Sequence, residues 1–410
     1  MRSLHQAYRF YIGSFSGLSR EVWILALITF VNRAGTMVVP FLSLYLTKDM
    51  GLSLEQVGWI MSCFGAGSVL GSWVGGKLTD RLGFYDIMIG ALLTSGVAFI
   101  LLQYVKGYEA FCIGVFVLMV LSDAFRPAMF VAIRSYAWTE VRTRAVTLLR
   151  LAINLGFSLG PAVGGLIIAA WSYGGLFWVD GLTCLAAMSL MLARLPRKQA
   201  MKDGEAARST PQRSPYRDGP YLFFLFTLVL VGIAFLQYFS TLPLYWSEVH
   251  HLDEFGIGLL LGMNGLLIFL TEMPLIKYCE DRAFDRIVVM VVSVALIALS
   301  FVVLNLFPVI AFLWIGMLLV TVGEMLNFPF MNRFANERAD HGKPGAYMAL
   351  FTIAWSVSHI IGHTLGLNLI ARFGYEATWW LFTGVLVVAM MMLFFLKRMV
   401  EGEKTGDARV

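Results

Sequence analysis

Long apolar runs alternate with short polar connectors along almost the whole chain. Twelve such runs begin near residues 22, 55, 85, 109, 144, 174, 220, 255, 285, 308, 345 and 376. Each holds roughly the 17–25 apolar residues that a helix needs to cross a bilayer. The pattern predicts an all-α membrane protein with twelve transmembrane helices. Between the sixth and seventh runs lies ARLPRKQAMKDGEAARSTPQRSPYRDGP, polar, basic and rich in Pro and Gly, which reads as a flexible cytoplasmic linker. The expected organisation is a six-helix half over residues 1–193, a linker over 194–219, a second six-helix half over 220–398 and a cytoplasmic tail over 399–410. The first run is too long for a cleaved leader and lacks a small-residue cleavage site, so it is expected to stay as the first helix. The segment before it, MRSLHQAYRFYIGSFSGLSR, is basic and aromatic and reads either as interfacial or as a solvated tail.

The two halves echo each other. The first span ends PFLSLYL and the seventh STLPLYW, while span four carries DAFRP and span ten EMLNFP. Such weak internal symmetry is what repeat-built transporters display. Composition agrees with a membrane chain: 59% of residues are hydrophobic and 14% charged, against roughly 45–50% apolar usage in soluble domains. Basic residues set the orientation. With both termini in the cytoplasm, the external loops hold only Lys48, Lys106 and Arg372, and Arg33, Arg126 and Arg150 fall within spans. The net charge of +5 is then a matter of membrane topology, and no nucleic-acid partner is expected. Cys63, Cys112, Cys184 and Cys279 lack metal-type spacing and read as packing thiols, so neither a metal nor a cofactor is expected. Gly71, Gly76 and Lys77 satisfy a phosphate-loop spacing, but no Ser or Thr follows and an apolar helix precedes them, so that reading fails.

The string GFSLGPAVGG in span five places Gly156, Gly160 and Gly164 four residues apart, with Pro161 and Gly165 alongside. Small residues at that spacing let another backbone approach closely. The stripe is either an ordinary packing face or a device that lets the two halves pack together. The string resembles the antiporter motif gxxxGPxxGG of the major facilitator superfamily. The loop GGKLTDRLGFYD resembles that superfamily's signature loop, with Gly76, Leu78, Asp80, Arg81 and Gly83 matching and Phe84 and Tyr85 replacing the usual basic pair. The resemblance implies a fold of two pseudo-symmetric six-helix halves working by alternating access. It also implies a conformational latch at Gly76, Asp80, Arg81 and Gly83, with Arg134, Arg142 and Arg144 as candidate partners, and a cavity lined by spans one, four, seven and ten. The likeness is greatest to twelve-span drug/proton antiporters. INLGFSLGP also overlaps a pattern of proton-coupled peptide carriers, and span one carries Asn32 and Arg33 where drug antiporters often place an acid.

An ionisable group at bilayer depth costs roughly 2.5–3.5 kcal/mol, which makes each one a functional candidate. Arg33, Asp123, Arg126, Glu272 and Glu324 qualify. Asp123 and Arg126 share a helix face and read as an ion pair, structural or functional. Glu324 has no cation on its own helix, and such a carboxyl favours its neutral form, as a proton carrier requires. It stands first for proton coupling, ahead of Asp123 and Glu272. Arg33, Asn32, Arg126, Tyr238, Asn327, Trp355 and His359 are the candidates for lining a substrate cavity. His359 and His363 lie on one face, but no third metal ligand is evident. The expected function is proton-coupled export of small amphiphilic compounds by a monomer in a bacterial inner membrane. The alternatives are a proton symporter for peptides or another small solute, and a non-transporting receptor-like or scaffold protein. Catalytic constellations are absent from the spans, so an enzyme is not expected.

Overall fold

Helix starts along this chain coincide with side chains able to accept backbone N–H groups. The Ser19 hydroxyl accepts from Val22 N at 3.3 Å, Asp218 from Tyr221 N at 3.1 Å, and Asp253 from Gly256 N at 2.8 Å. Gly83 and Gly107 start helices at φ 91° and 88°, a backbone region that other residues adopt with strain. The computed structural model describes residues 17–138, 142–198, 214–306, 309–339 and 344–407. The segment before residue 17 and most of the expected linker, including Pro211, lie outside the described residues. No strand is present among the described residues.

Span one consists of α1 (Arg20–Ala34) and α2 (Val38–Leu44), the latter closing in a π-turn at Tyr45–Asp49. There follow α3 (Leu54–Leu82), α4 (Phe84–Leu102), α5 (Tyr108–Asp123), α6 (Phe125–Tyr136), α7 (Arg142–Ala170) and α8 (Tyr173–Arg194). The later elements are α9 (Gly219–Phe235), α10 (Gln237–Ser240), α11 (Leu242–Glu248), α12 (Glu254–Asp281), α13 (Arg286–Leu306), α14 (Ile310–Ala339) and α15 (Pro344–Asp407). Eleven helical stretches among the described residues are long and apolar enough to cross a membrane. The last of them, Ala346–Glu403, is 58 residues long and is interrupted at Gly374, at φ 77° and ψ 178°. Each side of that interruption is longer than the roughly 20 residues a crossing requires.

The chain forms two compact units. One comprises Met1–Val39 with Ala66–Glu205, and the other Pro40–Gly65 with Ala206–Val410. The core of the first unit is built from Val22, Leu25 and Ile28 of α1, Phe84 and Met88 of α4, Phe125 and Met129 of α6, and Met191 of α8. In the second unit Tyr221, Phe224, Trp246, Phe301, Phe334, Tyr347 and Trp379 are fully buried. Burying side chains of this size contributes roughly 1.5–3 kcal/mol each. At one end of this unit the buried Asp218 binds Arg338 through two hydrogen bonds and accepts from the Tyr347 hydroxyl at 3.0 Å. Arg338 also donates to Glu403 at 2.6 Å. That cluster ties the start of α9, the end of α14 and both ends of α15.

Spans one and seven break in corresponding places. Span one leaves the helix at Gly35–Met37, and span seven at Leu236 and Thr241. Each break faces a pair of glycines four residues apart. A Cβ on Gly156 of α7 would lie 2.6 Å from Arg33 Cβ and 2.9 Å from Ala34 N, and one on Gly160 would lie 3.2 Å from Ala34 O. In the second unit, a Cβ on Gly362 of α15 would lie 3.3 Å from Ile233 Cα, and one on Gly366 would collide with the Gln237 amide. The strings GFSLG and GHTLG carry these pairs. This corrects the expectation that the span-five stripe serves packing between the halves: the neighbours of Gly156 and Gly160 belong to their own unit. Gly164, Gly165 and Pro161 are buried in the same helix, and α7 runs through Pro161 without interruption.

Candidate functional site

In the first unit, Asp123 at the end of α5 is buried and accepts a hydrogen bond from Ser68 of α3. Arg126, one turn on, approaches it at 3.9 Å, the outer edge of ion-pair distance, and exposes 55% of its own side chain. Close packing sets this arrangement. Gly71 and Gly75 of α3 lie against α5, where added Cβ atoms would sit 2.6 Å from Val120 O and 2.7 Å from Ala124 O. Arg33 lies within electrostatic range of both Asp123 and Arg126. Its guanidinium stands 5.9 Å from the centre of the Phe157 ring, and it makes no ion pair among the described residues. Asn32 donates to Cys184 Sγ at 3.4 Å. Arg33, Asp123 and Arg126 thus lie near one another in this unit.

In the second unit, Glu324 projects from the middle of α14. Asn264 of α12 donates to its Oε2 at 2.9 Å and to Thr321 at 3.0 Å. Among the described residues Glu324 makes no ion pair. It shares a narrow cavity with Phe235, Tyr238, Phe239, Leu261, Met317 and Val320. From there an aromatic chain runs Phe239–Phe235–Phe328–Trp355, with ring centres 5.6, 5.0 and 4.9 Å apart. A carboxyl, an amide and a run of rings offer the chemistry to bind a group that is apolar on one side and polar or cationic on the other, in a cavity that in this conformation has room for about one water.

The remaining candidates disperse. Tyr238 borders this cavity, but its hydroxyl donates to Ser300 of α13 at 2.6 Å. Asn327 is buried and donates to Ser293 of α13 at 2.7 Å, whereas Glu324 accepts from Asn264 of α12. Glu272 is buried on α12. His359 lies with its ring 5.7 Å from that of His363, and no group of three metal-ligating side chains is present among the described residues. Asp80 and Arg81 are exposed at the end of α3, Gly76 lies inside that helix with open space around it, and Gly83 takes the turn into α4 at φ 91°.

A profile of the Major Facilitator Superfamily matches residues 22–363. The chain belongs to that superfamily. It is 24% identical over 392 residues to the uncharacterized MFS-type transporter YttB of Bacillus subtilis, covering 92% of this chain and 94% of that one. It is 22% identical over 390 residues to a Na(+), Li(+), K(+)/H(+) antiporter of Planococcus maritimus, covering 85% and 89%. Its fold matches the crystal structure of a POT family transporter in complex with 5-aminolevulinic acid at a TM-score of 0.79. The two are 14% identical, with 94% of this chain and 98% of that one covered. The protein is therefore a multi-pass membrane transporter of a superfamily that moves small molecules rather than catalysing reactions.

Sequence reasoning missed three features of these sites. Asp180, in the apolar string LFWVDGLTC of span six, is fully buried and obeys the same rule that marked Glu324. The partner of Glu324, Asn264, carries no charge and left no signal in an apolar helix. The pair Gly362 and Gly366 repeats the spacing of Gly156 and Gly160 and was detectable by comparing spans five and eleven.

Proposed function

We propose that this superfamily member couples the export of small amphiphilic compounds to proton entry, with Glu324 as the proton carrier. The observation that carries the reading is the placement of Glu324. It is a carboxyl within a membrane helix, without an ion-pair partner among the described residues, lining a narrow cavity with aromatic walls. A group that alternately holds a proton and a substrate needs no permanent counter-charge. The similarity to a cation/proton antiporter supports antiport. Both termini are read as cytoplasmic, in a bacterial inner membrane, from the placement of Lys and Arg. The chain is read as a monomer without nucleic-acid partners. The domain boundaries at 193, 219 and 398 and a latch at Asp80 and Arg81 belong to the same proposal. The test uses proteoliposomes and ethidium as the probe. An imposed pH gradient drives ethidium movement in the parent, Glu324→Gln abolishes it, and gradient-free ethidium exchange persists. Proton-driven movement at the parental rate in Glu324→Gln moves the role to Asp123 or Glu272.

A second reading, proton-coupled import of a carboxylate-bearing solute such as a peptide, is favoured by Arg33. Its guanidinium has no ion-pair partner among the described residues and is free to take a carboxylate. Opposite directions of proton and solute movement in the same liposomes exclude it.

A further inference from the structure

Asp180 stands in the middle of α8, fully buried. No cation lies within ion-pair distance of it among the described residues. Its carboxylate instead accepts from Met37 N at 3.0 and 3.2 Å and from Val38 N at 3.0 Å. Those N–H groups open α2, where the break at Gly35–Met37 interrupts the helical hydrogen bonds; Met37 N also donates to Gly35 O at 2.9 Å. Thr183, one turn along α8, fills the space beside Gly35, while Gly156 and Gly160 of α7 back onto Arg33–Thr36. The break is thus held by hydrogen bonds from one helix and by contact from another, and Arg33 is the residue that leads into it.

The break in span seven is held differently. Gln237 donates to Ile233 O at 2.7 Å and to Gly362 O at 2.9 Å, and accepts from Thr241 at 3.0 Å. Every group there is neutral. A neutral side chain therefore suffices to hold such a break, and the carboxylate in span six adds the ability to titrate.

We propose that Asp180 is a positioning residue whose proton occupancy sets the firmness of the break in span one, and through it the placement of Arg33. Proton uptake forms an O–H bond on one carboxyl oxygen and breaks the N–H···O bond which that oxygen accepted, the proton coming from water. The remaining oxygen keeps a neutral hydrogen bond, and a charge-assisted bond is roughly twice as strong as a neutral one. Cys184, one turn along α8, lies within electrostatic range of Asp180 and of Arg33 on α1. From α4, Gly96 packs against Gly181 and Cys184 beside Asp180, while Gly156 and Gly160 of α7 pack against Arg33–Thr36 of span one. Asp180 differs in task from Glu324: it acts on the backbone of span one and touches no substrate.

Hydrogen–deuterium exchange of the full chain in lipid nanodiscs tests this without any substrate, so its outcome is independent of the transport reading. In the parent, protection of the 35–44 segment, corrected for intrinsic exchange, falls about tenfold as the carboxylate takes its proton on acidification, the scale of one charge-assisted hydrogen bond. In Asp180→Asn the protection is pH-independent, and in Asp180→Leu it is lost at every pH. The break of span seven, held by Gln237, stays flat in all three and serves as the internal reference. A parent profile without pH dependence, or an unchanged pH dependence in Asp180→Asn, overturns the proposal. Should Asp180→Leu fail to fold, the comparison of parent and Asp180→Asn still decides it.

Discussion

Arg338 and Arg126 are both arginines facing an aspartate, and their surroundings give them different weight. Arg126 exposes 55% of its side chain and meets Asp123 only at 3.9 Å, the outer edge of ion-pair distance, so the contact is loose. Arg338 exposes 7% of its side chain and makes two hydrogen bonds to a fully buried Asp218. Removing one partner of such a pair leaves a buried charge uncompensated, at a cost of roughly 3–5 kcal/mol. Arg338→Ala should therefore lower the thermal unfolding midpoint of the purified protein by several degrees, while Arg126→Ala should barely move it. Burial alone would raise the Asp218 carboxyl, but Arg338, with the Tyr221 N–H and the Tyr347 hydroxyl, holds it below the usual carboxylate value. Its contribution to stability is therefore fully present above about pH 4 and lost as pH falls through the depressed folded value. Thermal scans below pH 4 should show that loss in the parent and not in Arg338→Ala. At this scale Glu324 could be read from sequence because a carboxyl in an apolar run is conspicuous by its cost. Its amide partner Asn264 was not, since nothing in a single chain says which neutral side chain on another helix will face it.

Helices in a bilayer gain nothing hydrophobic by meeting each other, so what brings them together is the depth to which their backbones can interlock. Two glycine pairs, Gly156/Gly160 and Gly362/Gly366, do this at the breaks of spans one and seven. Gly156→Ala places a methyl group 2.6 Å from Arg33 Cβ and 2.9 Å from the Ala34 backbone, which cannot swing away as a flexible side-chain tip would. It should reduce transport of ethidium several-fold while membrane insertion, measured by expression in the membrane fraction, is unchanged. Gly76→Ala meets no atom within 4 Å and should be tolerated, even though Gly76 belongs to the signature loop. Equal effects of the two substitutions on transport would remove the packing explanation. The stripe itself was evident in the sequence. Its partner was not, because glycine spacing marks a face for close approach without saying which helix comes to it.

The pattern of long apolar runs foretold the all-helical membrane fold, and the Lys/Arg asymmetry predicts its orientation. Cysteines at Lys48, Lys106 and Arg372 should react with impermeant maleimide on intact cells, and tags at either terminus or at Pro211 should not. The reverse labelling pattern would invert the topology. What sequence pattern did not foretell is that packing and chain order part company at α3. That single helix, Leu54–Leu82, has its beginning in the unit of Pro40–Gly65 with Ala206–Val410 and its remainder in the other. Its first turns meet α15, with Thr364 donating to Gly58 O at 2.7 Å and Ser62 to Ile360 O at 2.8 Å, and Lys48 just ahead of it pairs with Glu254 at 2.9 Å. Cutting the polypeptide at the linker would therefore not yield two self-sufficient pieces. The fragment ending at Glu205 would carry a stretch whose partners it lacks, and the fragment beginning at Ala206 would present the bare surface that this stretch covers. The seam in the sequence and the seam in the packing are therefore different places, and a cut at the first would release neither compact unit cleanly.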